Sequence, residues 1–278
     1  MRKIKIVADS SSDVLEMEGI DYASAPLKIN TAEREFTDDR QLDVDEMAEY
    51  LYNYKGQSKS SCPNVSDWLD AFGDAEEILC VTITSGLSGS YNSACMAKDI
   101  YEREHEGRRV FVLDSLSTGP EMKLAMEKMQ ECIEADVPFD EICAQVVEYI
   151  KTTGLLFMLK SLKNFANNGR VSPAVAKIAG FMGICMVGRA SDEGTLELSH
   201  KCRGEARSLE TLLSDLEAFG LREGKVRIAH CQNEDAAKRL KDMILAKFDK
   251  AKVEIHKLRG LCSFYAEKGG VLVGFEKL

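Results

Sequence analysis

Apolar residues in this chain recur in two rhythms. Unbroken runs at Lys5–Asp9, Ile78–Thr84 and Val110–Leu113 hold too many consecutive apolar positions for half-exposed strands and predict strands buried on both faces. Between them apolar residues fall three and four apart. Val44, Met47, Ala48, Leu51 and Tyr52 predict a helix over 43–54, and Val65, Trp68, Leu69 and Phe72 predict another, with residues 56–64 between them as a loop. Further helices are predicted over 88–103, 121–134 and 139–151. Alternation of this kind implies a parallel sheet covered on both sides. Beyond residue 155 the pattern changes. Leu155–Leu159, Gly183–Val187, Leu196–Lys201, Val226–Cys231, Val253–Lys257 and Val271–Phe275 read as strands. Helices are predicted at 206–219 and 235–248, with a helical turn over Leu162–Asn167. Pro173 suits the first turn of a short helix running to Ala179. The expected fold class is α/β, with two α/β domains. The larger, residues 1–160, has a mainly parallel sheet flanked by helices, and the smaller, residues 161–278, has a mixed sheet.

Composition narrows the partners. The 278 residues are 45% apolar and 29% charged, and the formal net charge is −10. Phosphate backbones and anionic membranes select clustered Lys and Arg, so neither a nucleic acid nor a stable membrane anchor is expected. The N-terminal stretch reaches Asp9 before any apolar core of useful length, and Ile178–Val187 is too short to span a bilayer. A cytoplasmic location is the expectation. Nine cysteines, odd in number and without a Cys-x-x-Cys pair, read as reduced thiols, and no metal site or cofactor is expected.

Candidate chemistry sits in two hydroxyl-rich loops, Lys59-Ser60-Ser61-Cys62-Pro63-Asn64 and Thr84-Ser85-Gly86-Leu87-Ser88-Gly89-Ser90-Tyr91. The second lies where a buried strand gives way to a helix, the end of an open α/β sheet at which ligands bind. Ser88 is expected to cap that helix, leaving the Gly89 amide and the helix dipole to receive one small anion. A serine before a helix is more often only a cap. No Gly-x-Gly fingerprint or phosphate loop occurs. Gly86-Leu87-Ser88-Gly89-Ser90 departs from the hydrolase elbow only in carrying Ser90 at its last glycine. An acyl hydrolase with Ser88 as nucleophile is therefore a rival reading, and it requires one of His105, His200, His230 or His256 beside Ser88. A module for a small phosphorylated ligand at the same helix terminus is another.

Asp9-Ser10-Ser11-Ser12-Asp13, the Ser-Ser-Cys-Pro loop, Ile83 to Ala94, Val112-Leu113-Asp114-Ser115, Leu159-x-x-Leu162, Asn168-Gly169-Arg170-Val171-Ser172 and Lys201-Cys202-Arg203-Gly204 together resemble the DegV family, in order and spacing, over nearly the whole chain. The resemblance implies a non-catalytic carrier that buries one long-chain fatty acid of the C14–C18 class. It also implies a partner, the catalytic subunit of a fatty acid kinase. Carried over by position, Ser60, Ser88 and Gly89 hold the carboxylate. Ser61, Thr84, Ser85, Arg203 and Tyr265 are secondary ligand or cleft positions, and Arg170 matches a position for docking the kinase. Two departures stand out: Tyr265-Ala266-Glu267-Lys268-Gly269 replaces the family's His-Thr-Gly-Pro-Gly, and Cys185-Met186 replaces a Lys-Pro.

Overall fold

A computed structural model describes residues 3–175 and 183–277. The chain runs β1 (Ile4–Asp9), a 3-10 turn (Ser10–Ser12), β2 (Asp21–Ala25), β3 (Lys28–Asn30), β4 (Glu35–Thr37), α1 (Val44–Asn53), β5 (Lys59–Ser61), α2 (Val65–Phe72) and β6 (Glu77–Thr82). It continues through α3 (Ser90–Glu104), β7 (Arg109–Asp114), α4 (Gly119–Glu134), α5 (Phe139–Ile150), β8 (Thr153–Leu159), α6 (Lys163–Asn167), β9 (Ile184–Ala190) and β10 (Leu196–Arg203). It ends with α7 (Glu205–Ala218), β11 (Gly224–His230), α8 (Glu234–Lys247), β12 (Ala251–Lys257), α9 (Gly260–Ala266) and β13 (Val271–Glu276).

Four strands in the order β2-β1-β6-β7 form an all-parallel sheet. Its strands are apolar at successive positions because both faces are covered. Ile6, Leu79 and Val81 pack with Met122, Met126 and Ile142 of α4 and α5. Val7, Ile78 and Cys80 point the other way, against Trp68, Phe72, Ala94 and Tyr101 of α2 and α3. A second, mixed sheet has the order β10-β9-β8-β13-β11-β12, with β11 and β12 parallel and the remaining pairs antiparallel. The α/β expectation with one parallel and one mixed sheet is met. The residue-160 boundary falls late, because β8 is hydrogen-bonded to β13 and β9 and the chain has already entered the second sheet at Thr153. That second sheet is also the wider of the two.

Several elements escaped the sequence pattern, the edge strand β2 among them. The small antiparallel sheet β4-β3-β5 turns part of the expected 56–64 loop into a strand, pairing Ile29 with Ser60. Helix α9 is buried at nearly every position and so shows no one-sided stripe. Its Phe264 packs against Ile29, Phe36 and Met47. The expected helix from Pro173 to Ala179 lies in large part outside the described residues.

Helix α4 ties the two large sheets together. Its inner face completes the first core. Its start rests on β13, where a Cβ at Gly274 would stand 2.6 Å from the backbone of Pro120 and Glu121. Farther along, Glu127 takes the Arg227 guanidinium in two 2.8 Å hydrogen bonds. Among the described residues no helix is long and apolar enough to cross a membrane.

Candidate functional site

The two hydroxyl-rich loops meet. A cavity of about 290 Å³ is lined by Ser60, Ser61 and Cys62 from one and by Thr84, Leu87, Ser88 and Gly89 from the other. Much of the remaining wall comes from the second sheet and α9 and is mainly apolar, with Leu155, Phe157, Leu196, Leu261 and Leu272 typical; Leu27, Ser117, Thr118, Phe165 and Arg170 also line it. The Cys62 sulfur would lie 3.3 Å from a Cβ at Gly89, so the loops are in direct contact.

Asp9, at the end of β1, holds the second loop. Fully buried, it accepts from the Ile83 amide at 2.9 Å and from the Ser90 hydroxyl at 2.6 Å, one residue before and six after Thr84. Helix α3 begins at Ser90, with Gly89 rather than Ser88 in the capping position and no side-chain cap. The expected Ser88 cap is thus displaced by one residue, because Ser90 is drawn inward by Asp9. Ser88 still receives the Ser90 amide, at 3.2 Å, from just outside the helix.

Ser60 lies on β5, and its hydroxyl is 2.7 Å from the Tyr265 hydroxyl of α9. Tyr265 is wedged between the rings of Phe165 and Phe264, at centroid distances of 4.7 and 4.8 Å. Burial pushes its pKa up, so the phenol stays protonated and able to donate. The Ser60 amide donates to Asn168 Oδ1 at 3.2 Å. Arg170 then crosses to the other loop, its Nε donating to the Leu87 carbonyl at 3.2 Å and another guanidinium nitrogen to the Asn168 carbonyl. Among the described residues lining the cavity, Arg170 is the one that carries a charge.

Other expected site residues are placed elsewhere. Ser85 is exposed and outside the cavity wall; its amide donates to Asp114 at 3.1 Å. Arg203 is exposed at the far end of β10, whose near end, Leu196, lines the cavity. At about 3.3 Å per residue that separates them by roughly 23 Å, so Arg203 is not a cavity residue. Arg170, expected on a docking surface, is half-buried in the wall. Asn168, Ser117 and Thr118 were not anticipated as site residues. The Asn168-Gly169-Arg170 break was visible in sequence, but nothing there signalled that it turns inward.

The hydrolase reading requires an imidazole at Ser88. Among the described residues none lines the cavity. His105 ends α3 at the opposite terminus from Ser88, His200 pairs with Asp215, and His230 and His256 line a different groove. That groove, about 880 Å³ at the ends of β11 and β12, is open and walled by charged groups including Asp45, Lys123, Glu234 and Lys257. It lacks the apolar walls a small-molecule site ordinarily has. No cluster able to hold a metal ion occurs among the described residues.

Comparison with known proteins agrees with this architecture. The family model for the uncharacterised DegV family matches residues 3–277. A DegV domain-containing protein of Streptococcus pneumoniae is 40% identical over 276 residues, 98% of each chain. A DegV family protein from Eubacterium eligens, solved loaded with heptadecanoic acid, is 44% identical with a TM-score of 0.97, covering 99% of this chain and 100% of that one. The Streptococcus pneumoniae fatty acid kinase B3 protein, solved loaded with linoleic acid, is 40% identical with a TM-score of 0.97 and covers 99% of each chain. A Ruminococcus gnavus protein refined with vaccenic acid is 27% identical with a TM-score of 0.90, covering 99% of this chain and 100% of that one. By sequence and by fold, the chain belongs to the DegV family.

Proposed function

We propose that this protein is a carrier that encloses one long-chain fatty acid and presents its carboxylate to a fatty acid kinase. The observation that carries the reading is that Ser60, Ser88, Tyr265 and Arg170 line one cavity whose wall is largely apolar, with Ser60 and Tyr265 in hydrogen-bond contact. A carboxylate there gains hydroxyl donors and a nearby guanidinium, both of which favour its ionised form. The tail supplies affinity: burying roughly 14 methylenes at about 0.8 kcal/mol each gives a gross gain near 11 kcal/mol, against association costs of about 4–15 kcal/mol. The hydroxyls fix orientation. The fatty acids held by the Eubacterium eligens and Streptococcus pneumoniae relatives support the ligand class, and the second of these supports the kinase partnership. Arg203, exposed and away from the cavity, suits the partner surface better than the carboxylate.

The test is a palmitate titration of wild type and the Ser60→Ala, Ser88→Ala double variant. Loss of two hydrogen bonds to a charged group, about 1.5–3 kcal/mol each, should weaken binding about a hundredfold or more. An unchanged dissociation constant would remove both serines from the carboxylate site.

A further inference from the structure

Asn168 is not a wall residue of the cavity, yet its hydrogen bonds reach both hydroxyl-rich loops. Its side-chain Oδ1 accepts from the Ser60 amide at 3.2 Å, while Nδ2 donates to the Ser58 carbonyl at 3.2 Å and to the Asn164 carbonyl at 2.9 Å. This orientation of the amide gives every neighbour its complement, an oxygen against one N–H and an NH2 against two carbonyls; the flipped amide would fail all three. The pairing has a structural cause. β5 is an edge strand of the small sheet, with Ile29 opposite Ser60 on its inner side. Alternate peptide groups of such a strand face outward without a ladder partner. Asn168 answers those of Ser58 and Ser60 as a neighbouring strand would.

The main chain of Asn168 serves the other loop. Gly169, at φ +72°, turns the chain so that the Arg170 amide donates to the Phe165 carbonyl at 2.8 Å and a guanidinium nitrogen folds back onto the Asn168 carbonyl. Held in this way, Arg170 Nε donates to the carbonyl of Leu87, the residue before Ser88. Asn168 is itself anchored from behind. Its amide donates to the Asn164 carbonyl at 3.2 Å, and Asn164 Nδ2 donates to the Phe264 carbonyl of α9 at 2.7 Å. One residue thus fixes the backbone of Ser60 directly and that of Leu87 through Arg170.

We infer that Asn168 is a positioning residue: it sets the spacing between Ser60 and Ser88, and so the fit of the cavity to a carboxylate, without touching the ligand. The inference rests on the fatty-acid reading above. Charge-assisted hydrogen bonds to a carboxylate form over a narrow range of distance, so a small shift of either loop weakens them. Apolar contact with the tail is non-directional and tolerates the same shift. Loss of Asn168 therefore acts on the carboxylate end of the ligand and spares the tail.

The experiment measures dissociation constants of tetradecanoic and octadecanoic acid for wild type, Asn168→Ala and Asn167→Ala. Asn167 is the control, an exposed neighbour whose backbone carbonyl, not its side chain, meets Gln57. Asn168→Ala should weaken both acids by the same factor, about tenfold. The ratio between the two acids should stay at its wild-type value, because the gain per methylene belongs to the apolar wall. The Ser60 amide should exchange faster with deuterated solvent. Asn167→Ala should change none of these. Wild-type affinity in Asn168→Ala overturns the inference. A ratio that falls toward one also overturns it, since the wall has then deformed and Asn168 is merely structural. Should the alanine variant fail to fold, Asn168→Leu keeps the side-chain volume, removes the same three bonds and is read in the same way. If octadecanoic acid fails to bind wild type, the carrier reading falls first and this inference with it.

Discussion

Asp9 shows how much of the site depends on one side chain that never lines the cavity. Its carboxylate accepts from Ser11 N at 3.2 Å, Ser11 Oγ at 2.5 Å, Ile83 N at 2.9 Å and Ser90 Oγ at 2.6 Å. Burial pushes its pKa up while these four donors pull against that rise. Because Ile83 and Ser90 flank the loop bearing Ser88 and Gly89, Asp9 is a positioning residue for the proposed carboxylate site. Asp9→Asn keeps the shape but turns an amide donor toward groups that donate. It should lower stability by about 1–3 kcal/mol in urea denaturation and weaken palmitate about tenfold. Ser85→Ala, at an exposed position outside the wall, is the matched control and should change neither. Equal palmitate affinity in wild type and Asp9→Asn would show that the loop holds its shape without this anchor.

At the level of elements, the β9–β10 hairpin closes on the second hydroxyl loop through its glycines. Gly194, at φ +73°, sits where a Cβ would meet Thr84 Oγ1 at 2.1 Å and the Leu116 backbone at 3.0 Å. Gly86 faces the Glu193 carbonyl, with 2.9 Å left for a Cβ. Gly194→Ala therefore forces the hairpin tip away from the cavity wall. Overpacking of this kind costs about 1–3 kcal/mol, so the melting temperature should drop and a bound fatty acid should dissociate faster in stopped-flow displacement. Gly204→Ala carries backbone strain at φ +82° but meets nothing within 4 Å, and separates strain from contact; equal fatty-acid release from the two variants would refute the contact. None of this was legible in the sequence, because close approach between segments a hundred residues apart leaves no local period. What periodicity reports is burial. It gave β1, β6, β7 and the amphipathic α2 and α5, whose apolar positions answer to one neighbouring layer. It missed α9, which is buried all round, β2, which is only partly buried, and β3 to β5, whose short polar strands alternate weakly. The same limit applies to the cavity: serine-rich loops announce themselves, whereas Arg170 acquires its meaning from what faces it.

Across the whole molecule, a pair of buried acids links the two ends of the chain. Asp38 accepts from the Gly260 and Leu261 amides at 2.9 and 2.8 Å, and Asp13 accepts from the Arg259 amide at 2.6 Å. Burial raises both pKa values, and Asp13, facing Asp38, is pushed up to about 8. The two amides make Asp38 the better seat for negative charge, which leaves the proton on Asp13. A carboxyl whose folded pKa is raised stabilises the fold fully below its unfolded pKa of 3.8, and that contribution is lost as pH rises through about 8. Asp13→Asn mimics the protonated form permanently. Its melting temperature relative to wild type should therefore climb between about pH 5 and about pH 8. A constant difference across that range would show that Asp13 is ionised throughout.

The placement of β13 and α9 bears on how the protein is made. The last strand lies inside the six-stranded sheet, between β8 and β11, and α9 delivers Tyr265 to Ser60 and amides to Asp38. During synthesis the first sheet can assemble early, yet Asp13 and Asp38 wait without their amide partners and the cavity lacks one wall until the C-terminal segment clears the ribosome. On the carrier function proposed above, a fatty acid is enclosed only after α9 and β13 have folded against the rest of the chain.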